Sequence, residues 1–257
     1  MKGGWRRALG IWFDRRALIR WSRLADQAGG LNLAQLRRLR NRAGALQRRL
    51  NRVIHTADGR LALPHIGSDA IQKPLGTDWS YRPDLWRGPL PAIGEVAVES
   101  RTRIGEQATI FHDCRISELT FRQLRNTHED DLAPFGLRMD VFRFDGSFLS
   151  LVVDLPDGAA QGLQKRHILQ LDTIVEMEKP LEIFVRLNVR HGPNTEQIVR
   201  ELPIGPGTRS VEFDLAYTRL NEKRVEKVWI DLIFEDPEMN QIILRDLTVT
   251  RRPRAEM

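Results

Sequence analysis

Beyond residue 95 apolar side chains fall on every second position, the period of a strand with one buried face. Leu149, Leu151, Val153 and Leu155 alternate with Phe148, Ser150, Val152 and Asp154. The same alternation runs through Leu169–Met177, Leu181–Val189, Val211–Tyr217 and Val228–Phe234, with weaker starts at Val96/Val98 and Ala108/Ile110. Turn-forming residues separate the runs: Asp145-Gly146, Asp157-Gly158, Lys179-Pro180, Gly192-Pro193-Asn194, Gly205-Pro206-Gly207 and Asp236-Pro237. In the last run, Ile242–Thr250, the apolar parity shifts around Arg245-Asp246, which is the mark of a β-bulge. Ser117–Leu124 reads as a short helix or turn, and residues 138–250 leave room for at most one further short helix, near Ala159–Lys165. A parallel sheet needs crossovers of about a dozen residues or more, so that architecture is excluded. The expectation is a mainly β fold of seven to nine antiparallel strands stacked as a two-sheet sandwich.

The first 60 residues have a different period. Leu33, Leu36, Leu39, Ala43, Leu46, Leu50 and Val53 step by three and four along one helical stripe, flanked by Arg37, Arg38, Arg42, Arg48, Arg49 and Arg52. Asn32 is placed to cap this helix, Gly29-Gly30 breaks it from what precedes, and its end is expected near Ala57-Asp58-Gly59. Upstream, Trp5, Trp12 and Trp21 are interleaved with Arg6, Arg7, Arg15, Arg16 and Arg20. A basic helical hairpin over 1–60 is predicted. Residues 61–95 are punctuated by Pro and Gly too often for a helix and read as an extended segment, anchored by Trp79, Tyr81, Leu85 and Trp86, that wraps the domain formed by 96–257.

The formal net charge of +6 over 257 residues hides a split. Residues 1–60 hold 15 Lys and Arg against Asp14, Asp26 and Asp58, and the remainder holds 25 against 31 acids. The chain is a basic head on an acidic body. The apolar run Ala8–Phe13 is too short for a secretory signal, and no stretch approaches the roughly 18–20 apolar residues that span a bilayer. A single cysteine, Cys114, permits neither an internal disulfide nor a cysteine zinc site, so a reducing, cytoplasmic location is expected, peripheral to the inner membrane if the head docks there.

At Asp131–Leu151, Glu178–Glu196 and the tail Arg245–Arg254 the chain resembles a family of uncharacterised alphaproteobacterial proteins, which implies a bacterial origin and no site residues. In its strand order and its polar-tailed final strand it also resembles jelly-roll modules of the galactose-binding type, many of which bind carbohydrate. That likeness implies a jelly-roll-like sandwich and leaves function open.

If Leu181–Val189 face the core, Phe184, Arg186, Asn188 and Arg190 share the opposite face, and Trp229, Asp231 and Glu235 point outward on their own strand. Saccharide recognition needs a flat aromatic to stack on C–H faces and planar polar groups for paired hydrogen bonds, so Phe184, Arg186, Asn188, Arg190, Trp229 and Asp231 form the candidate ligand face. Solvated strands carry the same residues as cross-strand pairs, and Trp229 could equally lie under the Pro-rich wrap.

The Arg190–Glu196 loop is polar enough for a site, but a tight turn bent at Asn194 is favoured. His112 and Cys114 share a strand face without guaranteed contact, the six histidines show no metal-binding spacing, and His128–Asp131 reads as a solvated turn. No catalytic residue, metal or cofactor is assigned.

For the head, Trp5, Arg6, Arg7, Trp12, Arg15, Arg16, Arg20 and Trp21 are candidates for an anionic membrane or an acidic protein partner. Burial of the leucine stripe on itself, on the body or through self-association of 33–53 is the favoured alternative, and nucleic acid is not expected. Three functions stay open: a non-catalytic carbohydrate-binding module, an adaptor docked by its head, and a hydrolase acting on sugars or esters.

Overall fold

The computed structural model describes the backbone of residues 3–61, 70–128 and 131–254, and the side chains of 15–59, 61, 70–128 and 131–254. The chain divides into two units, Met1–Val53 and Ile54–Met257. Helix α1 (Gly3–Gln27) and helix α2 (Leu33–Leu61) are joined by one 3-10 turn at Ala28–Gly30. Asn32 caps α2 reciprocally with Gln35: its Oδ1 accepts from the Gln35 N–H at 2.9 Å, and Gln35 Oε1 accepts from the Asn32 N–H at 3.4 Å.

The leucine stripe forms on one face but is not buried. Leu33 is 75% exposed, Leu50 52% and Val53 66%, so the described residues of the chain leave most of the stripe open. The charge supplies a reason: seven arginines lie between residues 37 and 52 and no acid between 27 and 57, so pressing this helix on a like one gathers charge without a counter-charge. Gly59 does not end α2. From Ile54 onward the helix belongs to the second unit, where a Cβ at Gly59 would collide with the Arg87 carbonyl oxygen and His55 Nε2 lies 2.9 Å from the Asp84 carbonyl oxygen.

The second unit continues with β1 (Trp79–Tyr81), the single-turn α3 (Asp84–Arg87), β2 (Gly94–Val96), β3 (Thr102–Ile104), β4 (Ala108–His112), β5 (Leu119–Arg125) and β6 (Phe135–Val141). It is completed by β7 (Leu149–Asp154), the single-turn α4 (Asp157–Ala160), β8 (His167–Met177), β9 (Ile183–His191), β10 (Asn194–Glu201), β11 (Thr208–Asp214), β12 (Val225–Phe234) and β13 (Asn240–Pro253). One sheet runs β11-β8-β13-β6-β5-β2 with β1 added alongside β13, and the other runs β10-β9-β12-β7-β4-β3. The pairs β9·β10, β8·β11, β7·β12 and β6·β13 nest one outside the next, each antiparallel, and alternate between the sheets. That nesting is one long hairpin ribbon wound into a jelly roll.

The inward positions of both sheets, among them Leu137, Leu151, Leu171, Leu187, Phe213 and Leu232, form one core. Segment 119–125 is a strand and not the expected helix or turn: Leu119, Phe121 and Gln123 all point inward, and polar Gln123 at the third of these positions obscures the alternation. The Val211 run ends at Asp214, whose side chain accepts from the Ala216 N–H at 2.9 Å and starts a 3-10 turn over Leu215–Tyr217. The bulge falls where the parity shift placed it, between Leu244 and Asp246. In the β9–β10 turn it is Gly192, at φ +60°, that supplies the bend, while Asn194 is already the first residue of β10.

The described part of the wrapping segment is fixed at that bulge. Arg82, 2% exposed, makes a two-pronged pair with Asp246, 2.8 Å on each arm. Trp86, fully buried, donates its indole N–H to the Leu244 carbonyl oxygen at 2.9 Å. Gln123 donates to the Leu85 and Gly88 carbonyl oxygens at 2.7 and 2.8 Å, which is why a polar side chain points inward there. Asp78 accepts from Arg251 at 2.9 Å and lies 3.6 Å from His167 Nε2. Burial, together with the Arg251 charge, holds the His167 imidazole below its ordinary pKa.

Candidate functional site

The outward face of the β10-β9-β12-β7-β4-β3 sheet carries the candidate site. Register places Arg186 beside Asp231 and Asp231 beside Val152, while Phe184, Ile233, Ser150 and Phe111 form the next row across the same strands. Phe111, Phe148, Ser150, Arg186, Trp229 and Asp231, with Val152 and Ile233 between them, line a cavity of about 460 Å³. Its aromatic members stand on three different elements. Phe148 belongs to the loop entering β7, which Asp113 pins by accepting from Ser147 Oγ at 2.6 Å, Ser147 N–H at 2.7 Å and Phe148 N–H at 3.3 Å. Those bonds, the Ser147 hydroxyl first, hold the Asp113 carboxyl below its ordinary range.

Asp231 is asymmetric in its bonding. One carboxylate oxygen, Oδ2, accepts from Arg186 Nε at 2.7 Å and Asn188 Nδ2 at 3.1 Å, with Arg186 Nη2 at 2.6 Å. The other, Oδ1, is buried without a hydrogen-bond partner, and so is the neighbouring Ser150 hydroxyl. A buried polar atom left unpaired costs about 1–3 kcal/mol. Both residues line the cavity, so a polar group reaching them would meet a carboxylate oxygen that accepts and a serine hydroxyl that can donate or accept. Trp229 lies beside them, with the Lys227 ammonium 5.5 Å from its ring centre and 2.7 Å from Asp154.

Of the six residues named from strand parity, Arg186, Trp229 and Asp231 meet in the cavity. Asn188, 1% exposed, stands behind them, bridging Asp231 and Gln197. Phe184 lies one pair further along the strand, and Arg190 is turned to Glu226 at 3.0 Å; neither lines the cavity. The described strands of the wrap, β1 and β2, pair in the other sheet, and none of the described wrap residues lines the cavity beside Trp229. Phe111, Phe148 and Ser150 went unassigned in the sequence, although β7 parity already put Phe148 and Ser150 on the outward face.

The sequence profile of a family of unknown function, DUF6478, matches residues 1–257. The chain belongs to this family. No curated protein matches it in sequence. Among solved structures, the chain is similar to the family 11 carbohydrate-binding module of Clostridium thermocellum in complex with a mixed-linked β-1,3-1,4 tetrasaccharide, at TM-score 0.40 and 12% identity over 65% of this chain and 99% of that one. It is also similar to the CBM22-1 xylan-binding domain of Paenibacillus barcinonensis Xyn10C, at TM-score 0.38 and 9% identity over 63% and 95%. A third likeness, to the enzymatically active domain of bacteriophage CBA120 tailspike protein 4, has TM-score 0.40 and 8% identity, covering 55% of this chain and only 19% of the tailspike.

The other residues singled out in the sequence have different surroundings. His112 Nε2 is 2.8 Å from the Val98 carbonyl oxygen and Nδ1 accepts from the Cys114 N–H at 3.2 Å, so both ring nitrogens are engaged by backbone and neither serves the thiol. Burial raises the Cys114 thiol pKa, the wrong direction for a nucleophile. Among the described residues no three His, Cys, Asp or Glu side chains are grouped to hold a metal. The acidic run is described only at His128 and Asp131, the latter taken up by Arg245. On α1, Arg15, Arg16 and Arg20 are exposed and Trp21 is half-buried, while the side chains of Trp5, Arg6, Arg7 and Trp12 lie outside the described residues.

Proposed function

We propose that this protein is a non-catalytic binding module whose sandwich takes a saccharide on the outward face around Trp229. The observation that carries this reading is the pair of buried, unpartnered oxygens, the Asp231 Oδ1 acceptor and the Ser150 hydroxyl, beside Trp229, Phe111 and Phe148 in one cavity. A sugar ring offers what this arrangement lacks: hydroxyl donors for the acceptors and a C–H face for the aromatics. The Arg186 guanidinium, held in plane by Asp231, is a fork for adjacent hydroxyls. Cleavage fits less well, because Asp231 is the one carboxylate among the described lining residues and two are needed for acid–base work on a glycosidic bond.

Titration calorimetry of the full chain against soluble neutral polysaccharides, including a mixed-linked β-glucan, a xylan and a galactan, tests the reading. Saturable binding to at least one is expected, weakened about 10-fold or more by Trp229→Ala. Phe148→Ala, at the 42% exposed rim, is expected to weaken it less and to leave thermal unfolding unchanged. Absence of binding across the panel, or equal binding by both variants and the unmodified chain, would sink it.

A further inference from the structure

The α2 face left open in the fold has a chemistry of its own. At about 100° per residue, Leu36, Leu39, Ala43, Leu46, Leu50 and Val53 fall within an arc of about 100°, and Arg37, Arg38, Arg42, Arg48, Arg49 and Arg52 occupy the rest of the circumference. The stripe is solvent-exposed at Leu50 and Val53 and partly so at Leu36 and Leu46. On α1 the described stretch repeats the theme: Ile19 and Leu24 with Arg16, Arg20 and Arg23 line an open groove of about 930 Å³.

We propose that α2, together with the Arg16–Gln27 stretch of α1, docks the protein on an anionic lipid surface, lying in the plane of the headgroups. The exposed stripe enters the acyl boundary, and the arginines flanking it reach up to lipid phosphates, their methylene stems covering apolar surface. A second copy of the helix is a poor occupant, because no acid between residues 27 and 57 meets seven arginines across such a seam. Nucleic acid would use the arginines and leave the leucines in water. No helix among the described residues is long and apolar enough to cross a membrane, which fits a helix that lies on the surface.

The experiment is co-sedimentation of the full chain with vesicles of phosphatidylcholine mixed equally with phosphatidylglycerol, against pure phosphatidylcholine, at low and high salt. Binding is expected to the anionic vesicles alone and to fall with salt. Two sets of substitutions separate the two contributions. The triple variant Arg38→Gln, Arg42→Gln, Arg49→Gln should weaken partitioning on the order of 100-fold. The double variant Leu46→Glu, Leu50→Glu should weaken it at least about 10-fold. Each replaced side chain is on the surface, so the unfolding of the sandwich should not move, and a shared loss of fold would show there. Equal binding to neutral vesicles overturns the proposal. So does binding unaffected by the leucine changes, and so does a DNA duplex that competes with vesicles and binds the Leu46→Glu, Leu50→Glu variant as well as the unmodified chain. None of these outcomes bears on saccharide binding.

Discussion

Replacing Arg82 with Met is expected to lower the unfolding free energy by about 3–5 kcal/mol at neutral pH, because it leaves the Asp246 carboxylate buried without its counter-charge. Even with Arg82 present, burial dominates and holds the Asp246 pKa above its ordinary value. The sign of the pH dependence follows. The folded state binds the Asp246 proton more tightly than the unfolded chain, so stability falls as pH rises from the ordinary carboxylate pKa through the folded one, and is regained on acidification. Loss of Arg82 removes the two largest interactions that oppose the rise, its hydrogen bond and its charge, leaving only the Leu247 N–H, and widens that window upward. Urea unfolding of both proteins across the acidic range should show the gap between them narrowing as pH falls. A gap that stays constant would mean that Asp246 is not the seat of the loss. Replacing the pair together, Arg82→Met with Asp246→Leu, is expected to recover much of the stability, since a buried pair exchanged for apolar residues of similar size is often neutral.

Trp86→Ala carries the other large effect, also about 3–5 kcal/mol, by emptying a fully buried indole site between the wrapping segment and the bulge. Trp86→Phe separates packing from hydrogen bonding. It keeps most of the apolar volume but leaves the Leu244 carbonyl oxygen without the indole donor, a loss of about 1–3 kcal/mol. Chemical denaturation of the three proteins should rank them Trp, Phe, Ala. If Phe equals Trp, solvent or another donor satisfies that carbonyl.

Periodicity exposed much of the sandwich because a strand with one buried face writes its orientation into every second residue. Parity placed Arg186, Trp229 and Asp231 outward and located the bulge at Arg245-Asp246. It was silent on which strands are neighbours. Phe111, Phe148 and Trp229 share one cavity only because β4 pairs β7, β7 pairs β12, and loop residue Phe148 is pinned by Asp113, contacts that join distant parts of the chain. Strand β5 was hidden because Gln123 sits at an inward position to serve the backbone of residues 85–90, which no local pattern announces. In the head, the helical period was legible and the state of the stripe was not: the same leucines spell a buried seam or an open face, and only their exposure in the folded chain separates the two.

Arg82 and its partner Asp246 stand 164 residues apart, and β1 adds to a strand that ends at Pro253. During synthesis the wrapping segment therefore emerges long before the surface it will cover exists. The innermost ribbon pair, β9 with β10, can zip as soon as both are made, and β6 can pair with β5, but β1 and the second edge of β6 wait for β13, the latest of the described strands. A nascent chain stopped short of β13 carries Trp86 without the Leu244 carbonyl and Arg82 without Asp246, so the wrapping segment closes only after β13 has emerged.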